Sequence, residues 1–241
     1  TYKDGLQNNN VRGFITDGSK NLWLAQHDGI DYVAINSAVK SIFPDKNKQI
    51  TSYAIRNFDG KLYIGTSNGL YVTQIEAGIA DLSLSTKAFM EVKNSKGQVW
   101  NLSEINNKLL MGHEDGFFEI EDDVAHQIYN RPGTWLFEPT SEVYPSHDII
   151  AGTYLGLQKI NYKNGSFTNQ GKIEGRTESL RFIAFDANNN LWASHPYHGV
   201  YKIELSDDFK KIKKYTIYTD KQGLPSHLYN YIFKIKNRVV V

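Results

Sequence analysis

Two sets of side chains recur at corresponding places along this sequence and could bind a ligand. The first set lies at the starts of similar segments and comprises Arg12, Tyr53, Trp100 and Arg181. Counting back from the small residue of each repeat gives Thr140 and Asn230 as the corresponding residues of two further segments. The second set lies in short loops further along those segments and comprises His27, His113, Tyr154, His195 and Tyr197. Aromatic rings stack on the apolar faces of sugars, and guanidinium groups bind carboxylate or sulfate through two parallel hydrogen bonds. We therefore predict a site for an oligosaccharide or a hydroxylated acid; the alternative is a set of ordinary polar residues around ordered water.

Other chemistry has weaker support in the sequence. The stretch Asp186–Asn190 alternates oxygen-bearing side chains like a calcium loop, but it lacks the glycine and the distal glutamate of such a loop, so we predict a hairpin turn. His195 with His198, or His27 with His113, could ligate a metal, yet no carboxylate completes the spacing of a closed site. No phosphate-binding loop or dinucleotide-binding fingerprint is present. We predict no catalytic residue, no metal and no cofactor.

The balance of charges and the distribution of apolar residues argue against two classes of function. The 241 residues include 27 Lys and Arg against 26 Asp and Glu, a net charge of +1, so the chain lacks the basic excess that neutralises nucleic-acid phosphates. No apolar run approaches the ~18 to 20 residues that span a bilayer. Cysteine is absent, which excludes disulfides and zinc–thiolate sites. We expect a single domain that binds no nucleic acid and has no membrane span.

A repeated pattern predicts the elements that position the candidate residues. An apolar pair, a small residue, a short polar loop and a glycine recur, and the glycines are Gly29, Gly69, Gly116, Gly156 and Gly199, separated by 40, 47, 40 and 43 residues. In the first repeat, segments 11–17, 22–25 and 30–35 are predicted strands, and in the last complete repeat 214–218 is the predicted fourth strand. Four short antiparallel strands per ~40 to 50 residues are typical of a β-propeller blade. A sandwich would not repeat this pattern, and a parallel β-helix would repeat at half the spacing.

The fold prediction is therefore an all-β propeller with four-stranded antiparallel blades. It has five full repeats and a partial sixth, at approximately 5–46, 47–89, 90–131, 132–175, 176–218 and 219–241, and we expect it to be part of a seven-bladed ring. The chain starts at Thr1 and ends in the apolar run Val239–Val241, so we expect a piece of a longer protein. An unpaired apolar edge at that end predicts one of two outcomes: pairing with another copy, a homodimer, or lower stability than the full ring.

The repeats resemble the regulator-propeller repeats of bacterial signalling proteins. The resemblance rests on Gly5-Leu6 with Asn8–Asn10, on Asp17 with Asn21–Ala25, and on Asp186 with Asn190–Ser194, each series followed by a Gly and an apolar residue. It implies the extracytoplasmic sensor region of hybrid two-component systems or of triple-tyrosine LuxR-type membrane regulators, in the periplasm. It also implies partners in the same protein: a neighbouring propeller or β-sandwich domain, a membrane helix, and a kinase or DNA-binding output.

These observations lead to three expectations of function. The first is a non-catalytic sensor propeller that binds a small molecule or oligosaccharide and passes the signal on as a population shift. The second is a propeller enzyme, a lyase or hydrolase, and the third is a scaffold for protein partners. An enzyme should hold a histidine or tyrosine against a carboxylate near the site, whereas a sensor needs a stacking surface without an activated base.

Overall fold

Antiparallel strands joined by short turns make up the regular structure of the described residues. In the computed structural model of the protein these residues are 1, 5–35, 41–45, 50–76, 85, 87–131, 133–142, 144–236 and 238–241. Two 3-10 helices, Thr140–Glu142 and Asp220–Gln222, are the only helical segments among them. No helix in this part of the chain is long and apolar enough to cross a membrane.

The described strands form six sheets, and the strands of each sheet pair in the order in which they occur in the chain. Sheet 1 contains β1 (Val11–Thr16), β2 (Leu22–Gln26) and β3 (Gly29–Val33). Sheet 2 contains β4 (Ser52–Phe58), β5 (Lys61–Thr66), β6 (Gly69–Gln74) and β7 (Met90–Glu91). Sheet 3 contains β8 (Val99–Ile105), β9 (Lys108–His113), β10 (Gly116–Glu121) and β11 (Val124–Asn130). Sheet 4 contains β12 (Thr134–Pro139), β13 (Ile149–Thr153), β14 (Gly156–Lys163) and β15 (Ser166–Lys172). Sheet 5 contains β16 (Ile183–Phe185), β17 (Leu191–His195), β18 (Gly199–Leu205) and β19 (Ile212–Tyr218). Sheet 6 contains β20 (Phe233–Ile235) and β21 (Arg238–Val240).

The chain divides into two compact units, the first with sheet 1 and the second with sheets 2 to 6. Within the second unit, the first strands of successive sheets are neighbours: β4 lies beside β8, β8 beside β12, β12 beside β16, and β16 beside β20. Such a row of meanders, each presenting its first strand to the next, is the arrangement of propeller blades. It brings the starts of β4, β8 and β12 to one place.

Apolar side chains of the second unit fill the spaces between successive sheets. Leu109 and Met111 belong to a cluster between sheets 2 and 3, whereas Leu110 belongs to the cluster between sheets 3 and 4. All three side chains are fully buried because successive residues of a strand point to opposite faces and both faces are covered. This explains why the second strand of each repeat is a continuous apolar run.

The repeated glycine is required by backbone geometry at the start of each third strand. Gly116 and Gly199 have φ of 122° and 84°. A β-carbon would lie 1.9 Å from the Tyr129 carbonyl oxygen at Gly116, and 2.1 Å from the Tyr218 carbonyl oxygen at Gly199. Only glycine combines this conformation with so close an approach of another strand.

The predicted all-β class and the four-stranded antiparallel sheets are confirmed. Strands β1, β2 and β3 confirm the predicted strands of the first repeat, and β19 contains the predicted strand 214–218. Sheet 1 has three strands and sheet 6 has two among the described residues. The number of blades therefore stays a prediction, as do the repeat boundaries, of which the one at 46/47 lies outside the described residues.

Candidate functional site

Irregular pairing at the starts of β4, β8 and β12 positions three aromatic residues. The register of β4 with β5 shifts between Ser52 and Ala54, so Tyr53 is an extra residue without a pairing partner. The same shift surrounds Trp100 in β8 and Trp135 in β12. A bulge of this kind turns one side chain out of the regular alternation. The three aromatic residues consequently occupy equivalent positions on neighbouring strands.

These residues form a continuous stack, which we call the aromatic row: Tyr53, Trp100, Trp135 and Tyr154. Ring centroids are 4.9 Å apart between Tyr53 and Trp100, 4.8 Å between Trp100 and Trp135, and 4.6 Å between Trp135 and Tyr154. Tyr53 is exposed, and the other three side chains are partly buried. The row thus offers a surface of aromatic rings that spans sheets 2 to 4.

Hydrogen bonds hold the two tryptophans of the row in place. The Trp100 Nε1–H donates to the Tyr154 hydroxyl oxygen at 2.8 Å, and the Trp135 Nε1–H donates to Ser179 Oγ at 3.0 Å. The Tyr154 backbone N–H in turn donates to the Gly133 carbonyl oxygen at 2.9 Å. With their polar atoms bonded inside the protein, the indoles are preorganised for contact through their rings.

Arg181 extends the aromatic row toward sheet 5. Its guanidinium carbon lies 4.4 Å from the centroid of the Trp135 ring, a cation–π contact. Its backbone N–H donates to the Ser194 carbonyl oxygen at 2.9 Å, which fixes its place beside β17. The Arg181 Nε atom is buried without a hydrogen-bond partner, and no described carboxylate forms an ion pair with this residue.

The loop that carries Ser179 and Arg181 is held by a second arginine. The Arg176 guanidinium donates to both Glu178 carboxylate oxygens at 2.9 and 2.8 Å, and lies 5.2 and 4.6 Å from the ring centroids of Tyr201 and Tyr215. The Tyr201 hydroxyl donates to Glu178 at 2.7 Å. Burial opposes ionisation of Glu178, but the Tyr201 hydrogen bond and the charge of Arg176 hold its pKa below the usual value. Burial and the Glu178 carboxylate raise the pKa of Tyr201 to about 12.

Two candidate histidines differ in whether their ring N–H group already has an acceptor in the protein. His113 Nδ1 accepts from the Asp115 N–H at 3.0 Å, so Nε2 carries the proton and donates to the Lys96 carbonyl oxygen at 3.0 Å; both nitrogens are used. His195 Nδ1 accepts from the backbone N–H groups of Tyr197 and His198, which leaves Nε2–H without a described acceptor. Burial lowers the pKa of both histidines, and nearby positive charges lower that of His195 further.

Three further candidates are not members of the aromatic row. Arg12 and His27 belong to the first unit, are exposed, and contact each other at 3.1 Å between Nη2 and Nδ1. Tyr197 is exposed, and its ring lies 5.6 Å from that of Tyr229. The structure therefore brings together Tyr53, Trp100, Tyr154 and Arg181, but does not connect all of the predicted residues.

The sequence count was wrong at Thr140, and Trp135 occupies the expected position instead. Thr140 follows the far end of β12, where it is fully buried and donates to the Asp148 carbonyl oxygen at 2.8 Å. The count failed because residues 140–148 connect β12 to β13, whereas residues 106–107 make the corresponding connection in sheet 3. No local pattern in the sequence singles out Trp135, because the bulge takes its side chain out of the strand alternation. At the last equivalent position, the Asn230 amide donates to the Ser226 carbonyl oxygen at 3.0 Å.

Two loops that resemble catalytic or calcium sites have structural roles. The Asp186 carboxylate accepts hydrogen bonds from the backbone N–H groups of Asn188 and Asn190 and from Trp192 Nε1–H at 2.8 Å, so a hairpin turn is confirmed. Residues 65–69 match the letters Gly-x-Ser-x-Gly of a nucleophile elbow, so the expectation that the sequence contains no such motif is wrong. They join β5 to β6, two strands, whereas the elbow requires a turn from strand to helix.

Glu178, His195 and His198 lie close enough to suggest a metal site, with one ligand atom of each within 4.8 Å of the others. However, Arg176 and Tyr201 already bind the Glu178 carboxylate. The two imidazole rings are stacked at 4.1 Å and only 5° from parallel, so their nitrogens do not point to a common centre. These residues do not fit a metal ion.

Comparison with solved structures relates this fold to extracellular domains. The extracellular domain of BT4673 from B. thetaiotaomicron, named as a hybrid two component system, superposes with a TM-score of 0.64 at 16% identity over 96% of this chain and 34% of that chain. The extracellular domain of the similarly named BT3049 superposes with a TM-score of 0.53 at 19% identity over 96% of this chain and 32% of that chain. This chain thus spans about a third of their length.

A third structure comes from another class of protein. A catalytically inactive virginiamycin B lyase from Staphylococcus aureus with quinupristin superposes with a TM-score of 0.52 at 13% identity over 88% of this chain and 72% of that chain. No family model and no curated protein sequence matches this chain. At these low identities the likeness concerns the fold, and the fold of this chain is the one found in the extracellular domains of hybrid two-component systems.

Proposed function

We propose that this chain is the ligand-binding part of an extracytoplasmic bacterial sensor, and that its ligand, a carbohydrate, binds on the aromatic row. The observation that carries the proposal is the unbroken stack of Tyr53, Trp100 and Trp135 at equivalent positions of three neighbouring sheets. Rings held by hydrogen bonds lose little entropy when they receive the apolar face of a sugar. The shared fold with extracellular domains of hybrid two-component systems supports the sensor role.

The larger protein in this proposal is a membrane-anchored regulator with its sensor in the periplasm. The sheets are blades of a propeller with five complete repeats and a sixth begun here, in a ring of seven. A neighbouring propeller or β-sandwich of the same polypeptide is the partner that receives the signal. Ligand binding would favour one arrangement of these domains by the ~1 to 3 kcal/mol typical of allosteric coupling. Pairing of Val239–Val241 with a second copy stays a prediction.

A binding role agrees better with the site than an enzymatic one. An enzyme needs an accessible base oriented by a carboxylate. The tyrosines held by carboxylates are Tyr63 and Tyr201, which are 4% and 1% exposed and cannot reach a substrate. His195 is oriented by backbone N–H groups of Tyr197 and His198, without a carboxylate hydrogen bond. His227 Nδ1 does lie 3.3 Å from Asp220 Oδ1, but neither residue belongs to the aromatic row, so we place no catalytic step at the row.

The proposal is tested by titration calorimetry of the chain with a panel of neutral and acidic oligosaccharides. Saturable binding is expected for at least one glycan, and Trp100→Ala and Trp135→Ala should each weaken it about fivefold or more, since stacking contacts are worth ~1 kcal/mol or more. Trp23→Ala is the matched control, because this tryptophan is 42% exposed, packs on Tyr32 and is not a member of the aromatic row. Absence of binding across the panel, or binding unaffected by both row variants, would refute the proposal. Turnover of a bound glycan would favour the enzyme.

A further inference from the structure

Arg181 is a positive charge held in the protein without a negative partner. Its Nε atom is buried and unbonded, and among the described residues no carboxylate lies within ion-pair distance of its guanidinium. The nearby Glu178 carboxylate is already bonded to Arg176 and Tyr201. Partial burial of a cation is unfavourable, and the Trp135 ring compensates only part of that cost. A bound anion would supply the missing partner.

Two hydrogen-bond donors near Arg181 also lack an acceptor. Tyr154 uses its hydroxyl oxygen to accept from Trp100, which leaves its own O–H to donate, and its ring packs on Trp135 as Arg181 does. His195 carries its proton on Nε2 because Nδ1 accepts two backbone N–H groups. Burial raises the pKa of Tyr154 and lowers that of His195, so both are neutral donors near pH 7. Backbone hydrogen bonds bring the three residues together: the Arg181 N–H donates to the Ser194 carbonyl oxygen at 2.9 Å, next to His195, and the Leu180 N–H donates to the Thr153 carbonyl oxygen at 3.1 Å, next to Tyr154.

We propose that the ligand on the aromatic row is an anionic saccharide, whose carboxylate or sulfate accepts hydrogen bonds from Arg181, Tyr154 and His195. This inference rests on the proposed carbohydrate site. A carboxylate or sulfate only accepts hydrogen bonds, so it suits a site with three donors and no acceptor. A sugar hydroxyl suits it less well, because its own O–H would find no acceptor there. The Arg181 guanidinium, whose carbon lies 4.4 Å from the Trp135 centroid, is a planar group with paired N–H donors, which suits a carboxylate or a sulfate.

The experiment compares acidic and neutral glycans in matched pairs by calorimetry at low and moderate salt. One arm pairs an oligogalacturonide with its methyl ester, and the other pairs a sulfated galactan oligosaccharide with its desulfated form. In at least one arm the charged member should bind about tenfold more tightly or better, and the ratio should fall as salt screens the charge. The arm in which the ratio appears identifies carboxylate or sulfate as the group.

Arg181→Gln should reduce the ratio of charged-glycan to neutral-glycan affinity to near one. Arg181→Lys should restore only part of this ratio, because lysine keeps the charge but not the paired N–H groups. Lys214→Gln on β19 removes an exposed positive charge elsewhere and should leave the ratio unchanged. Equal binding of charged and neutral members, or a ratio unaffected by Arg181→Gln, would overturn the inference while the carbohydrate site stands. Failure of every glycan to bind would overturn both.

Discussion

The indole N–H of Trp100 donates to the hydroxyl oxygen of Tyr154 at 2.8 Å, and this bond joins β8 of sheet 3 to the β13–β14 turn of sheet 4. Trp135 lies between the two residues in the stack, with ring centroids within 4.8 Å of each. The bond closes a three-residue arrangement in which each ring restrains the next. The candidate site is thus part of the packing between two sheets.

Removal of either partner of this bond should weaken the packing by a measurable amount. Trp100→Phe and Tyr154→Phe keep an aromatic ring, and each should lower the free energy of unfolding by about 0.5 to 1.5 kcal/mol, measured by urea denaturation. The double variant should lose less than the sum, because both changes delete the same bond. Tyr53→Phe is the control, since the Tyr53 hydroxyl makes no described hydrogen bond. Strict additivity would contradict a direct bond.

The sequence predicted the repeated strands because each rests on local chemistry: an apolar run that two neighbouring sheets cover, and a glycine that a positive φ requires. It placed Tyr53 and Trp100 at equivalent positions because residues 59–60 and 106–107 make equally short connections to the next strand; in sheet 5 residues 186–190 make a longer one, and Arg181 precedes Phe182, which stands before the corresponding pair Ile183–Ala193. Trp135 was missed because residues 140–148 lengthen one connection, and a fixed count cannot detect an insertion inside a turn.

Alanine in place of the repeated glycine should lower the free energy of unfolding by more than the cost of a positive φ alone. Gly165 has φ of 79° and open space around the site of a β-carbon, so Gly165→Ala should cost about 1 to 2 kcal/mol from conformation. At Gly116 a β-carbon would also meet the Tyr129 carbonyl oxygen, and Gly116→Ala should cost about 3 kcal/mol or more. Both values come from urea denaturation at pH 7. Equal costs at the two glycines would show that the strand contact is unimportant.

The Asp186 hairpin should make stability depend on acid pH. Burial opposes ionisation of Asp186, but hydrogen bonds from Trp192 and Asn190 lower its pKa below the ordinary 3.8. A lowered folded-state pKa contributes stability that is complete above about pH 4 and is lost as pH falls through the folded value. Asp186→Asn should therefore be less stable than wild type by about 1 to 3 kcal/mol at pH 7, and the difference should shrink near pH 2.

Two controls accompany the Asp186 measurement. Asp207→Asn changes a side chain that is 84% exposed and should alter stability little at any pH. Millimolar calcium should leave the denaturation midpoint of wild type unchanged, because N–H donors already occupy the Asp186 oxygens. Stabilisation by calcium would instead indicate that this turn is a calcium-binding loop.

The state of individual polar atoms was beyond the reach of the sequence. Arg181 and Arg176 have the same side chain in the same loop, yet Arg176 binds Glu178 and two tyrosines whereas Arg181 has only the Trp135 ring. His113 and His195 both end a second strand, yet only His195 keeps a nitrogen without an acceptor. These differences depend on partners distant in the sequence, such as Lys96 for His113 and Tyr215 for Arg176, and no local pattern records them.

Tyr201→Phe should loosen the loop that delivers Ser179 and Arg181 to the aromatic row. The variant keeps the buried ring but deletes the hydroxyl that donates to Glu178 at 2.7 Å and accepts from Arg176 at 3.3 Å, and the loss should be about 1 to 3 kcal/mol because the partners are charged. Hydrogen exchange at the backbone N–H groups of Leu180 and Arg181 should quicken, since Thr153 and Ser194 accept their bonds only while the loop is docked. Tyr71→Phe is the matched control, because Tyr71 also follows the repeated glycine by two residues, is 5% exposed and has no described hydroxyl bond. If the two variants lose equal stability and leave exchange in residues 176–181 unchanged, the Arg176–Glu178–Tyr201 contacts do not hold the loop.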